Sequence, residues 1–338
     1  MDNSGSFQVA LDVMRRRTGV VIPVYLPEGV DRAQGETLLR DNVVAFCAQV
    51  ADPAHICLSV DGERFSGDVI AELGGELGVS TFVAATNRGK LWAVANGVRC
   101  LLEHDPDLRY LAVVDQDGDH FANELLNLVR AAEHMSLSRI LVLGARSSAH
   151  RPMGFLRGEL EELADRILLD ALHYRAAVTG RPLHLEFASA LGEYPDFHSG
   201  YKLFSRATAH DVFLAEPQLA GVSEECYYRH AVEAVMVVEA IERGALLGVV
   251  NRSTFNEQPI SVFGRLSRSQ LTADMIIWPC RRLGVPAPFV RQWLANHIPR
   301  LLLGTLAPQG QEELEEIARL VMAAYDSEAG PMQRPLFV

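Results

Sequence analysis

Short β-branched apolar runs alternate with longer stretches of helical period over the first 150 residues. Residues 19–25 (GVVIPVY) form a compact run stopped by Pro27 and Gly29, and 55–60 (HICLSV) is stopped by Asp61-Gly62. Residues 80–85 (STFVAA), 110–114 (YLAVV, ending at Asp115) and 140–143 follow as three more. Helical patterns fill the gaps near 35–50, 67–77, 90–103 and 121–132. Strands apolar at nearly every position are buried on both faces, because a half-solvated strand would alternate. The pattern therefore predicts an α/β fold with a mostly parallel central sheet flanked by helices.

The second half changes character. Residues 155–178 read as one long helix, then comes DFHSGYKLFSR (196–206), then a helix with Glu224 and Glu225 near its start. Between 259 and 303, Arg265, Arg268, Arg281, Arg282, Arg291 and Arg300 face Asp274 alone, whereas 309–328 carries Glu312, Glu313, Glu315 and Glu316 on what reads as a solvated helix. A boundary near 258 predicts a domain over 1–258, with a nucleotide-binding part at 19–150 and an acceptor part at 151–258. A helical C-terminal extension at 259–338 follows.

Composition narrows the function. At 49% apolar, with 16 Pro and 26 Gly spread along 338 residues, the chain is globular. Its 31 basic against 43 acidic residues give a net charge of −12, which excludes a general nucleic-acid binder. Five scattered cysteines without a CxxC pair read as buried reduced thiols of a cytoplasmic protein. The N-terminus lacks the apolar core of a signal peptide. The best apolar stretch, 231–250, is broken by Glu233, Glu239, Glu242 and Arg243, so no membrane span is expected and any membrane contact is peripheral.

Ligands of open α/β sheets bind beyond the carboxyl ends of the strands, here 25–29, 61–64, 86–90 and 115–120. Several familiar sites are absent. No GxGxxG follows the first strand, Gly89-Lys90 lacks a P-loop's upstream Gly, and neither HExxH nor GxSxG occurs. Asp115, Asp117 and Asp119 mimic the first ligands of an EF-hand, but His120 and Leu126 stand where Gly and Glu are needed. What remains is VVDQDGDH (113–120). Carboxylates at i and i+2 leaving a strand point the same way, and a divalent cation would relieve their repulsion. Alternatively the aspartates cap the helix at 121–132, and Asp119 is expected to do so.

This run resembles the DxD motif of family 2 glycosyltransferases with the GT-A fold, and the resemblance covers most of 19–260. VVIPVY is similar to the family's opening strand and SVDG to the strand whose Asp reads the base. NRGKLWAVANG (87–97) is similar to the N-x-G-K-x-x-A-x-N-x-G helix start, with the last spacing one residue shorter. DFHSGYKLFSR resembles the D-x-x-S-G-[FY]-x-L-[FY] segment of the polyprenyl-phosphate sugar synthases, and RSTFNEQPISVFGRLSR loosely resembles their R-x-x-G-x-S-[KR] region.

The resemblance implies an inverting transfer from a UDP- or GDP-sugar with Mg²⁺ or Mn²⁺ to a small or lipid-linked acceptor. Asp61 would contact the base, Asp115 the ribose and metal, and Asp117 would be the main metal ligand. Pro23, Tyr25 and Gly200 would line the nucleotide-sugar site. Lys90, Arg265 and Arg268 would steady the diphosphate, or are solvated surface charges. Glu225, or its neighbour Glu224, would be the general base, unless both simply favour a helix N-terminus. The Q-x-x-R-W motif of processive synthases is absent, as are the membrane helices of lipid-linked relatives. Asn256 and Glu257 are the nearest polar candidates for a downstream His metal ligand. A homodimer is compatible with the sequence. Two other readings are a nucleotidyltransferase making an NDP-sugar, whose Gly-rich basic loop YLPEGVDRAQG matches poorly, and a non-catalytic nucleotide-sugar binder.

Overall fold

In the computed structural model, which describes residues 3–26, 31–147, 154–188, 194–254 and 267–327, strands and helices alternate from the start. In chain order these are α1 (Asn3–Arg17), β1 (Thr18–Val24), α2 (Arg32–Cys47), β2 (Ile56–Val60), α3 (Glu63–Leu77), β3 (Ser80–Val83), α4 (Lys90–His104) and β4 (Tyr110–Val113). Next come α5 (Leu125–Met135), β5 (Ile140–Arg146), α6 (Phe155–Thr179), β6 (Lys202–Ser205), α7 (Val232–Glu242) and β7 (Leu246–Arg252). Three longer helices follow: α8 (Arg268–Arg282), α9 (Ala287–His297) and α10 (Gly310–Ala323).

The strands form one seven-stranded sheet of order β3-β2-β1-β4-β6-β5-β7. All pairings are parallel except the two made by β6, which runs antiparallel to both β4 and β5. The sheet, its helical cover and the helical C-terminal part give the expected fold class, consistent with a GT-A-type fold. Alternate strand residues feed two cores. Val20, Ile22, Ile56, Leu58, Ala112 and Val142 pack with α1, α2, α3 and α5. Val21, Cys57, Leu111, Val113 and Leu141 pack with α4, α6 and α7, and the same cluster continues into α8, α9 and α10.

Local chemistry sets the boundaries. Asp31 caps α2 by accepting from the Gln34 N–H at 3.1 Å, and Gly78 closes α3 in the left-handed conformation. Pro23 is tolerated in a central strand because the β1–β4 ladder ends at Val21 and Val113.

Three expectations are corrected. Asp119 does not cap a helix at 121. Its carboxylate is buried against Arg252, and the helix instead begins as a single 3₁₀ turn (Ala122–Glu124) leading into α5, with no side-chain cap. The acidic helix α10 is solvated on one face only, since Leu314, Ile317, Val321 and Met322 are buried. Of the five free cysteines, Cys47 and Cys100 are half-buried and only the other three are buried. No helix among the described residues is long and apolar enough to cross a membrane.

Candidate functional site

The carboxyl ends of β1, β2 and β4 bring most of the sequence-derived residues together. β4 stops at Val113, so Asp115 and Asp117 leave it through a turn in which Gly118 takes a positive φ of 80°. The turn, rather than the alternation of a strand, groups the acids.

Asp115 is the hub. Lys90 Nζ lies 2.7 Å from Asp115 Oδ1 and 2.9 Å from Glu233 Oε1, so one ammonium ties the start of α4 to both β4 and α7. The Asp115 N–H donates to His120 Nδ1 at 2.9 Å, and Asn42 donates to the Asp115 carbonyl at 2.8 Å. His120 is buried and stacks on Tyr201 with ring centroids 4.9 Å apart. Because Nδ1 accepts, its proton sits on Nε2. Burial, then the Arg252 charge, holds this imidazole well below its ordinary pKa, so it is neutral. Burial would raise the Asp115 carboxyl, but the Lys90 ammonium, with the Arg252 guanidinium farther off, outweighs it and holds it below the carboxylate range. Glu233 follows the same logic: Lys90 and Lys202 overcome its burial and lower it.

Asp117 behaves oppositely. Burial and the neighbouring Asp115 charge push its carboxyl up to about 6, and no ion pair engages it among the described residues. Its Oδ1 accepts from the Asp119 N–H at 3.3 Å. Among the described residues, no three His, Cys, Asp or Glu side chains are grouped to hold a metal ion.

Gly200 has a steric reason to be glycine. A Cβ there would lie 2.5 Å from Asp115 Oδ2 and 3.0 Å from His120 Cε1. Next to it, Ser199 Oγ donates to the Gly144 carbonyl at 2.5 Å, and the buried Lys202 Nζ donates to the Ser199 carbonyl. Burial draws that ammonium down to about 8.

Asp61 sits at the end of β2 with both oxygens occupied by backbone. Oδ1 accepts from the Arg88 N–H and Oδ2 from the Gly89 N–H, each at 2.7 Å. It therefore neutralises the start of α4. Burial raises its carboxyl in spite of those bonds. Gly89 has a φ of 129°, and a Cβ there would strike the Tyr228 carbonyl at 2.3 Å.

Tyr25 faces the turn through its backbone, bonded both ways to Gln116. Glu224 and Glu225 lie exposed in the first turn of the helical segment before α7, with Ser223 Oγ accepting from the Cys226 N–H. Glu224 pairs with Arg88 Nη2 at 3.1 Å, and Arg88 lies 4.2 Å from the Trp92 ring. Glu225 has no side-chain partner among the described residues. Arg268 is directed elsewhere, to Glu313 on α10 at 3.2 Å. Arg265, Asn256 and Glu257 lie outside the described residues.

Sequence reading missed Glu233, His120, Gln116 and Lys202. Glu233 carried a signal, a carboxylate interrupting an otherwise apolar helix, but its partner Lys90 is 143 residues away.

No protein-family model and no curated protein matches the chain. Among solved structures, S. aureus TarS 1–349 aligns at 12% identity over 91% of this chain and 81% of that one, with a TM-score of 0.46. A mycobacterial protein aligns at 16% identity over 83% of this chain and 79% of that one, with a TM-score of 0.49. The 4-diphosphocytidyl-2C-methyl-D-erythritol synthase from Anaerococcus prevotii aligns at 10% identity over 79% of this chain and 97% of that one, with a TM-score of 0.39. All three scores are below 0.5, and the site is read from its own residues.

Proposed function

We propose that this protein transfers one sugar from a UDP- or GDP-sugar, with inversion, to a small or amphiphilic acceptor. The observation that carries the reading is the Lys90–Asp115–Glu233 cluster at the carboxyl end of β4, beside an Asp117 whose carboxyl makes no ion pair among the described residues.

The donor set suits a hard divalent cation. Mg²⁺ and Mn²⁺ take oxygen ligands and complete their shells with substrate phosphates, so one or two carboxylates suffice. Asp117, crowded by Asp115 and Asp119, would hold the ion with Asp115 beside it. Bound there, the cation would supply positive charge to a departing diphosphate. The chain's own groups do the rest. Lys90 fixes the Asp115 carboxylate and adds charge of the same sign. Gly200 leaves Asp115 Oδ2 uncrowded, and Asp61 with the amides of Arg88 and Gly89 shapes the wall beyond β2. The general base is assigned to Glu225, with Glu224 held in its ion pair to Arg88.

Two measurements test this. UDP and GDP should raise the melting temperature with Mn²⁺ and fail to do so in EDTA. Occupancy at about 100 times Kd adds about 2.7 kcal/mol. With a sugar nucleotide and acceptor, free nucleoside diphosphate supports transfer. Pyrophosphate would indicate nucleotidyl transfer instead, and neither product would indicate a binding protein.

A further inference from the structure

We propose that Cys57 and Cys100 form an oxidisable thiol pair that closes reversibly into a disulfide between β2 and α4. The juxtaposition follows from how α4 lies on the sheet. A Cβ on Gly97 would be 2.5 Å from Val21 Cγ1 and 3.3 Å from Ser59 Cβ, so the helix backbone rests directly on β1 and β2. Ser59 Oγ donates to the Ala93 carbonyl at 2.7 Å. Farther along the helix, Leu101 Cδ1 is 2.9 Å from where a Cβ on Gly19 would lie. The helix thus descends antiparallel to the strands. Cys57 shares the Ser59 face of β2 and is in register with Val21. Cys100, almost one turn beyond Gly97, packs against the core that contains Cys57. On this shared face the two thiols are neighbours, close enough to perturb each other's ionisation.

The pair is asymmetric in the way a redox pair requires. Cys57 is fully buried, whereas Cys100 keeps part of its surface in solvent. Its neighbour Cys57 draws the Cys100 thiol down to about 7, against the opposing effects of burial and Glu103. Burial raises the thiols of Cys47, Cys226 and Cys280. Cys100 is the thiolate that reacts and Cys57 the thiol that resolves.

The oxidant is a peroxide. The Cys100 thiolate attacks one peroxide oxygen, forming S–O as O–O breaks, and the departing hydroxide takes a proton to become water. The Cys57 sulfur then attacks the Cys100 sulfur, closing the S–S bond and expelling a second water. Two thiols lose two electrons and two protons, and one hydrogen peroxide becomes two waters.

The test uses the full chain. It is treated with a few equivalents of hydrogen peroxide, alkylated in denaturant, digested and mapped by mass spectrometry. The expected result is a peptide linked through Cys57 and Cys100, with three of the five thiols alkylated and all five recovered after dithiothreitol. C47S should form the same link, and C100S should form none. C57S should leave Cys100 as a sulfenic acid that dimedone traps. An unchanged thiol count would overturn the proposal, as would Cys100 linked to another cysteine, or Cys100 oxidised to the sulfinic acid without any linked peptide.

Discussion

Gln116 continues the sheet where β4 has already ended: its Oε1 accepts from the Tyr25 N–H at 2.8 Å and its Nε2 donates to the Tyr25 carbonyl at 2.7 Å. A side-chain amide thus imitates the next backbone unit of a strand. Because Gln116 lies between Asp115 and Asp117, the same two bonds moor the acidic turn to β1. Gln116→Ala should destabilise the protein by about 1–2 kcal/mol, the net worth of two partly buried hydrogen bonds. It should also weaken cation-dependent nucleotide binding. Thermal melts with and without UDP and Mn²⁺ check both, and unchanged melts would show that the turn holds itself.

Asp117 yields a pH signature. Its carboxyl is raised to about 6 by burial and by Asp115, so the folded chain holds this proton more tightly than the unfolded chain. Metal-free stability attributable to this group therefore falls as pH rises from about 4, the unfolded value, through the folded value. Asp117→Asn should raise metal-free stability at neutral pH by on the order of 1–2 kcal/mol, and the gain should vanish below about pH 4. The same variant should lose the stabilisation that nucleotide with Mn²⁺ confers. Urea titrations in EDTA across that range are the measurement.

Gly200→Ala tests the close approach to Asp115. The new methyl would meet Oδ2 at 2.5 Å, so Asp115 or the loop must move. Overpacking of this kind costs about 1–3 kcal/mol. Sugar transfer should fall more steeply than stability, because Asp115 is displaced from Lys90. An alanine variant with full turnover would remove Asp115 from the proposed chemistry.

The base assignment separates three acids. Glu225→Gln should lower transfer by roughly 10²–10⁴ with donor binding intact. Glu224→Gln should release Arg88 and do much less. Glu233→Gln should act differently, removing a partner of Lys90 and so weakening donor binding and stability together. If Glu225→Gln is fully active, the base lies elsewhere. Asp196 and Asp119 are poor replacements, since Arg146 and Arg252 already engage their carboxylates.

Strands buried on both faces announce themselves in a sequence, which is why β1, β2 and β4 were legible to within a residue or two, while the half-exposed edge strand β3 was marked by its β-branched residues. Asp115, Asp117, Lys90 and Asp61 were legible too, as polar residues immediately following apolar runs. What escaped was anything decided by distant partners. Whether Asp119 caps a helix depends on Arg252, 133 positions away. The reversed direction of β6 leaves no local trace, since KLFS reads the same in either orientation. Glu233 sits within an apolar helix and becomes meaningful only when Lys90 is placed opposite it.

The reversed strand β6 also bears on the order in which the chain can assemble. β1, β2, β3 and β4 come from one continuous stretch and can pair as soon as residue 113 has been made. β5 cannot join them, because its sheet neighbours are β6 and β7, which emerge about 60 and 100 residues later. Until then an apolar strand is present with both edges bare, the condition that favours wrong pairings and aggregation. The four residues of β6 then close the gap from both sides at once. Slow synthesis or truncation between 146 and 202 should therefore leave a chain whose first half is built and whose fifth strand is adhesive.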